Sequence, residues 1–450
     1  MMLKVGPAGS PLCGELTPPG DKSISHRALI LASLAVGQSR IEGLLESEDV
    51  RATASACRQL GMKSHEDGEA LLVDGVGEEG LCAPTGPLDM GNSGTAMRLL
   101  AGVLAAQPFN SELIGDRSLS ARPMRRIVHP LSLMGASIQT SDSGTPPLLI
   151  TGNPHLEGIH YTSPVASAQV KSCVLLAGLY AQGVTRVSEP HKSRDHTEKM
   201  LPSFGVPLET GCAVSGGSRL TAAHVRVPGD ISSAAFFMVA ATMLPDSSLT
   251  LNNVGLNETR DGIIRVLEAM GADLQVVNRR MYGGEAVGDI RIRYKGQLKG
   301  IDLPLQWIPS LIDELPLIMA LAAVSNGVTR IRGAEELRVK ESDRISVMAR
   351  GLESLGVRLT EYRDGMDIEG GSIRGGSVDG AGDHRCAMSF CILGQLADSD
   401  LEVNGCGNID TSYPGFARDL EAIGGVLGPV NTCQVTATGA HFVQCKERQT

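Results

Sequence analysis

The stretch GDKSISHRALILASLA, Gly20 to Ala35, sets a polar loop with one lysine and two serines directly ahead of a helix that is apolar on nearly every face. A helix at a domain surface keeps a polar stripe, so one without it is enclosed, and strands from the flanking segments must wrap around it. The same pattern returns five times: GNSGTAMRLLAGVLA from Gly91, SAQVKSCVLLAGLYA from Ser167, GDISSAAFFMVAATML from Gly229, DELPLIMALAAV from Asp313 and DHRCAMSFCILGQLA from Asp383. Their spacing of roughly 60 to 85 residues exceeds most solenoid periods, so each repeat is a small α/β module and not a helical hairpin. Between them lie ordinary amphipathic helices, DGIIRVLEAMGA from Asp261 and DRISVMARGLESLG from Asp343, each closed by glycine. Short alternating segments, SIQTS, Arg291 to Tyr294 and LEVNG, read as strands. The expected class is α/β (α+β), with buried helices and outer sheets.

Working outward, 450 residues predict two or three domains, and 42% hydrophobic with 20% charged residues is the balance of a globular chain. No apolar run approaches the roughly eighteen residues of a membrane span. The amino terminus is broken by Gly and Pro and lacks the apolar stretch of a secretory signal, so a cytoplasmic location is expected. A net charge of −10, no Lys/Arg block and 3% aromatic residues argue against a nucleic-acid partner, which needs a phosphate-tracking surface or stacking platforms. The ten cysteines form no CxxC pair and no His spacing that suits zinc; Cys173, Cys386 and Cys391 sit in apolar runs as small buried hydrophobes. GVGEEG, Gly75 to Gly80, formally matches GxGxxG, but no helix follows and two glutamates would face a pyrophosphate, so it reads as a turn.

The loops ahead of the buried helices carry Lys22, Ser23, Ser93, Thr95, Ser167, Gln169, Asp313 and Arg385, and Arg27, Arg98, Arg122, Arg194, Lys340 and Arg344 sit in or beside such turns. Helix N-termini offer free N–H groups and a positive dipole end, so their convergence with these cations makes a basic pocket for anions in an acidic protein. Taken singly, each Ser, Thr or Asp would simply cap its helix.

The segments PGDKSISHRA (Pro19 to Ala28), GNSGTAMR (Gly91 to Arg98), RPM (Arg122 to Met124), SAQVKS (Ser167 to Ser172), RDHTEKM (Arg194 to Met200), ELRVKESDR (Glu336 to Arg344) and DHRCAMS (Asp383 to Ser389) together resemble the 5-enolpyruvylshikimate 3-phosphate synthases. These are the enolpyruvyl transferases of the shikimate pathway to chorismate and aromatic amino acids. The resemblance runs in order from about Leu3 to about Gly425, and SAQVKS and RDHTEKM are similar to the branch that includes glyphosate-tolerant bacterial enzymes. Two positions depart. Some tolerant members carry Ala where this chain keeps Gly94, and the other branch places a phosphoenolpyruvate-gripping lysine where this chain has Thr411.

The resemblance implies a two-domain enolpyruvyl transferase fold of six βαβαββ-type units. Residues 21–227 form one domain, 1–20 plus 228–425 the other, and 426–450 stay unassigned. It also implies a monomer, small anionic substrates, no metal or organic cofactor, and no nucleic-acid or membrane partner. The reaction moves the carboxyvinyl group of phosphoenolpyruvate to the 5-hydroxyl of shikimate 3-phosphate through a tetrahedral intermediate, releasing phosphate. By motif position, the catalytic residues are Lys22, Asp313 and Glu341. Phosphoenolpyruvate falls to Lys22, Gly94, Arg122, Gln169, Arg344 and Arg385, with planar arginines suited to bidentate grip. Shikimate 3-phosphate falls to Lys22, Ser23, Arg27, Ser167, Ala168, Gln169, Arg194, Asp313 and Lys340. Asp313 is the acceptor beside the hydroxyl and Glu341 the proton donor to carbon, two carboxylates dividing acid and base work. The plainer readings are an N-cap for Asp313 and a solvated ion pair with Arg344 for Glu341. Arg125 and Arg126 read as surface charges.

Two competitors stand beside this. The UDP-N-acetylglucosamine enolpyruvyl transferases share fold and reaction type but use a reactive cysteine on a mobile loop, and Arg117 to Arg126 contains none. A non-catalytic sugar-phosphate binding module would have lost Asp313, Glu341 or Lys22, and all three are present.

Overall fold

A computed structural model describes residues 1–77 and 80–429. Twelve α-helices occur among them: α1 (Lys22–Leu34), α2 (Glu48–Gln59), α3 (Gly94–Ala105), α4 (Arg125–Leu133), α5 (Ala168–Gly178), α6 (His196–Met200), α7 (Ile231–Met243), α8 (Gly262–Met270), α9 (Leu315–Ala322), α10 (Arg344–Ser354), α11 (His384–Gly394) and α12 (Phe416–Ala422). All six loop-and-helix repeats are helices, and every residue of α7, α9 and α11 is buried. The helices between them are one-sided: α2 buries Val50, Thr53, Ala54 and Cys57, the three-to-four spacing of a single face. Helix α8 ends on left-handed Gly271, and left-handed Gly356 follows the Leu355 cap of α10.

Six sheets of three or four strands enclose these helices. In the first, Val36–Glu42 pairs with Ala70–Val76 and, in parallel, with the distant strand His224–Arg226. The amino-terminal strands go elsewhere. Cys13–Leu16 runs parallel to Ser248–Gly255, and Leu3–Val5 lies between Leu401–Asn404 and Leu427–Pro429. The assignment of residues 426–450 to no unit is therefore corrected at its start, because Leu427–Pro429 closes a sheet; 430–450 lie outside the described residues. So do Glu78 and Glu79 of the GVGEEG stretch, whose Gly75 and Val76 end the strand Ala70–Val76. Among the described residues no helix follows it before Gly94.

The buried apolar residues form two cores, one from Ile24 to Val227, the other from Leu3, Val5 and Leu12 together with Ile231 to Leu427. Inside the first, α3 and α5 approach until a Cβ on Gly102 would stand 2.2 Å from the Cys173 carbonyl oxygen, which only glycine allows. Cys173, Cys386 and Cys391 are buried as expected. The chain passes between the cores twice at one place: Asp21 donates its N–H to the Pro228 carbonyl and Asp230 to that of Pro19, both at 2.8 Å. No helix among the described residues is long and apolar enough to cross a membrane.

Candidate active site

Side-chain caps fix where the helices begin. Asp21 accepts from the Ile24 N–H, Ser93 from Ala96, Ser167 from Val170, Asp343 from Ser346 and Asp383 from Arg385. Each satisfies an N–H with no partner inside its helix. Asp313 is not a cap. Glu314 occupies that position ahead of α9 without a side-chain bond to the helix N–H groups, and the Asp313 carboxylate turns toward cations instead.

Those cations come from both cores. Arg194 of the first reaches across to Asp313 Oδ2, while Arg344 Nη1 stands 3.4 Å from Oδ1 and Arg385 donates to the Asp313 carbonyl at 3.1 Å. Arg344 continues the chain, with Nη2 2.5 Å from Glu341 Oε2 and Nε 2.8 Å from Asp383 Oδ2. Glu341 Oε1 then lies 3.4 Å from Arg122 Nη1 of the first core. Arg122 is held from behind by Asn92 Oδ1 at 2.6 Å and Ser118 Oγ at 3.1 Å. Burial alone would raise both carboxyl pKa values, but Arg194 and Arg385 around Asp313, and Arg344 and Arg122 around Glu341, outweigh it and hold both well below the usual carboxylate range. Glu341 does pair with Arg344, as its plainer reading has it, but with an arginine sealed from solvent and a second one from across the gap.

Beside this chain, Gln169 accepts from Arg98 Nη1 at 2.5 Å and donates to Thr95 Oγ1 at 3.0 Å, which fixes its amide. Burial, and then the nearby Arg126 and Arg122, push the Arg98 guanidinium down to about 10. Gly94 is the first residue of α3, and a Cβ there would lie 2.9 Å from Arg98 Nη1 and 3.3 Å from Arg122 Nη1. Lys22 begins α1 with Nζ 3.0 Å from Asp49 Oδ2, and its charge is felt at Glu341. Half-buried Lys340 sits in the field of Asp313, and desolvation lowers its pKa.

The remaining expected residues lie at the rim or behind it. Arg27 donates to Thr197 Oγ1 at 2.7 Å, Ser172 Oγ at 2.8 Å and the Ser23 carbonyl at 2.9 Å, tying α1 to α5 and α6. Ser23 is half-buried, Ser167 caps α5 and Ala168 is that helix's first residue. The reading of Arg126 as a surface charge is corrected: Nη1 lies 3.1 Å from Glu336 Oε1 across the gap, while Arg125 stays exposed. Asp49, Asn92 and Asp383, which orient Lys22, Arg122 and Arg344, were missed by sequence reasoning. The N-cap position of Asp383 was the one available signal. The assembled site can grip a ligand with several negative charges from both sides, with two carboxylates placed for proton transfer.

A family model described as EPSP synthase (3-phosphoshikimate 1-carboxyvinyltransferase) matches residues 7–420. A protein of Xanthomonas oryzae pv. oryzae (strain PXO99A) named 3-phosphoshikimate 1-carboxyvinyltransferase is 53% identical over 412 residues, covering 91% of this chain and 93% of its own. One of the same name from Legionella pneumophila (strain Corby) is 52% identical over 409 residues, covering 90% and 94%. A solved structure of EPSP synthase from Acinetobacter baumannii superposes with a TM-score of 0.85 at 46% identity, over 95% of this chain and 99% of that one.

Proposed function

The chain belongs to the EPSP synthase (3-phosphoshikimate 1-carboxyvinyltransferase) family, and from that premise we propose that it transfers the enolpyruvyl group of phosphoenolpyruvate to the 5-hydroxyl of shikimate 3-phosphate, releasing phosphate. One observation carries the reading. Asp313 and Glu341 are caged by Arg194, Arg385, Arg344 and Arg122, contributed by both cores, as two polyanionic substrates meeting in a closing cleft require.

Arg122, Arg344 and Arg385 take the phosphate and carboxylate of phosphoenolpyruvate, with Gly94 allowing close approach and Gln169 bonding between the substrates. Arg194, Lys340, Ser23, Arg27, Ser167 and Ala168 hold shikimate 3-phosphate. In the addition step Asp313 receives the hydroxyl proton as the oxygen bonds to phosphoenolpyruvate, and Glu341 gives a proton to the methylene carbon. Elimination expels phosphate, and loss of a proton from the new methyl group restores the double bond. Lys22 serves proton transfer near the departing phosphate. Without substrate, arginines hold Glu341 ionised. When phosphoenolpyruvate engages Arg344 and Arg122, burial becomes the dominant influence and favours the protonated acid that the step needs. Thr411 bonds the Asn408 carbonyl at 2.6 Å, so the grip a lysine would give there passes to the arginines.

The two cores act as domains 21–227 and 1–20 plus 228–425, with the strand Leu427–Pro429 joining the second, of a cytoplasmic monomer. The test is phosphate release from phosphoenolpyruvate, with shikimate 3-phosphate and separately UDP-N-acetylglucosamine as acceptor. Release with shikimate 3-phosphate alone supports the reading; release with neither, from folded protein, overturns it. Asp313→Asn should lower kcat by about a hundredfold or more while shikimate 3-phosphate still binds by calorimetry; undiminished turnover would remove Asp313 from the proton path.

Gly94→Ala carries a separate expectation. Its methyl group meets Arg98 and Arg122 at their guanidinium ends, so the phosphoenolpyruvate grip shifts, while Arg194 and Asp313 are not among the atoms it crowds. The KM for phosphoenolpyruvate should rise about tenfold or more, with that for shikimate 3-phosphate within about twofold. Equal changes in both would show that the damage is not local.

A further inference from the structure

Lys171 lies one turn inside α5, 3% exposed, and no role in the reaction accounts for a buried ammonium there. Its Nζ meets Glu189 Oε1 at 2.7 Å, Glu198 Oε1 at 2.7 Å and the Ser193 carbonyl at 3.4 Å, three acceptors for three donors. Glu189 in turn accepts from the Ser193 N–H at 2.8 Å and, through Oε2, from Ser193 Oγ at 2.7 Å. Glu198 belongs to α6, just beyond Arg194. Residues 189–195 between the strand Val184–Ser188 and α6 have no helix or strand of their own; Asn257 holds Asp195 Oδ1 at 2.7 Å from the second core, and this ammonium ties the loop to α5 on both sides of Arg194.

We infer that Lys171 is a positioning residue for shikimate 3-phosphate, which through Glu189, Ser193 and Glu198 holds Arg194 facing the cleft before substrate arrives. The inference rests on the assignment of Arg194 to that substrate. An arginine on a free loop must be ordered at the moment of binding, and that cost is subtracted from affinity; an anchored one is ordered in advance. The anchor also stays charged: burial would lower the lysine pKa, but Glu198 and Glu189 outweigh it and hold the ammonium above its ordinary value.

The test compares Lys171→Met, Arg194→Gln and the double variant by calorimetric Kd for shikimate 3-phosphate, and by KM for each substrate. Arg194→Gln should weaken shikimate 3-phosphate about 10- to 100-fold, the scale of one charge-assisted hydrogen bond. Lys171→Met should weaken it about tenfold, leave the KM for phosphoenolpyruvate within about twofold, and add less than about twofold to Arg194→Gln, because both act through one contact. A merely structural role would change the folded fraction without this split or this non-additivity. Unchanged affinity in Lys171→Met, or effects that multiply in full, would overturn the inference. So would an Arg194→Gln variant that binds normally while the wild type turns over, since its premise would then be gone. A wild type that turns over no shikimate 3-phosphate is instead the failure of the parent reading, and takes the inference with it. Should Lys171→Met not fold, Ser193→Ala removes one tie of the same loop. It should weaken shikimate 3-phosphate about threefold, again with little added to Arg194→Gln, and no loss or full multiplication there would equally overturn the idea.

Discussion

Glu341→Gln is expected to lower kcat by about 10² to 10⁴, the span of a lost general acid, while the KM for phosphoenolpyruvate stays level or falls. The side chain keeps its size but can no longer give up a proton to carbon. Its charge had occupied Arg344 and Arg122, which the incoming phosphate and carboxylate must otherwise win from it. Loss of kcat with KM lowered is the signature of a group that competes with substrate in the ground state and works in the transition state. A solvated ion pair predicts neither, being worth at most about 1 kcal/mol. Steady-state kinetics with phosphoenolpyruvate varied decides the matter, and wild-type turnover would exclude Glu341 from proton transfer.

Arg260→Met should give the largest loss of stability, about 3–5 kcal/mol, because removing one member of a buried ion cluster leaves the others uncompensated. Arg260 is 2% exposed; it donates to Asp21 Oδ2 at 3.1 Å, Asp230 Oδ1 at 2.9 Å and Ser232 Oγ at 2.7 Å. Those two aspartates cap α1 and α7 at the place where the chain passes between the cores. Adding Asp21→Asn and Asp230→Asn to Arg260→Met should recover most of the loss, since asparagine caps as well as aspartate but strands no charge. Urea unfolding followed by circular dichroism checks both. An unchanged midpoint in the single variant, or no recovery in the triple, would show that the pairing does not hold the crossover.

The six buried helices were legible because enclosure demands apolar residues all round, a pattern written within each segment. The edge strands were not: Cys13–Leu16 is largely exposed, shows no alternation, and is a strand only because Ser248–Gly255 lies beside it. The site divides the same way. Lys22, Ser167 and Arg385 announce themselves by standing at helix starts, whereas Asp49 looks like one more acidic residue in the first turn of α2 until Lys22 is seen against it. Arg126 was misread for a related reason, its partner Glu336 being 210 residues away in sequence and in the other core. Contacts at such separation leave no local trace, so the motifs taken together name Arg194 and Asp313 for one substrate, but their pairing is seen only in the structure.

The double passage between the cores bears on how the molecule is made. Residues 21–227 enter and leave their core at one point and need nothing outside themselves to complete it, so this half can finish folding while the rest is still being translated. Strand Leu3–Val5 has the opposite fate: it is made before residues 21–227, yet its neighbours, Leu401–Asn404 and Leu427–Pro429, are made after them. Until then its edges are unpaired in the growing chain, and this sheet closes only after the whole of the first core has been made.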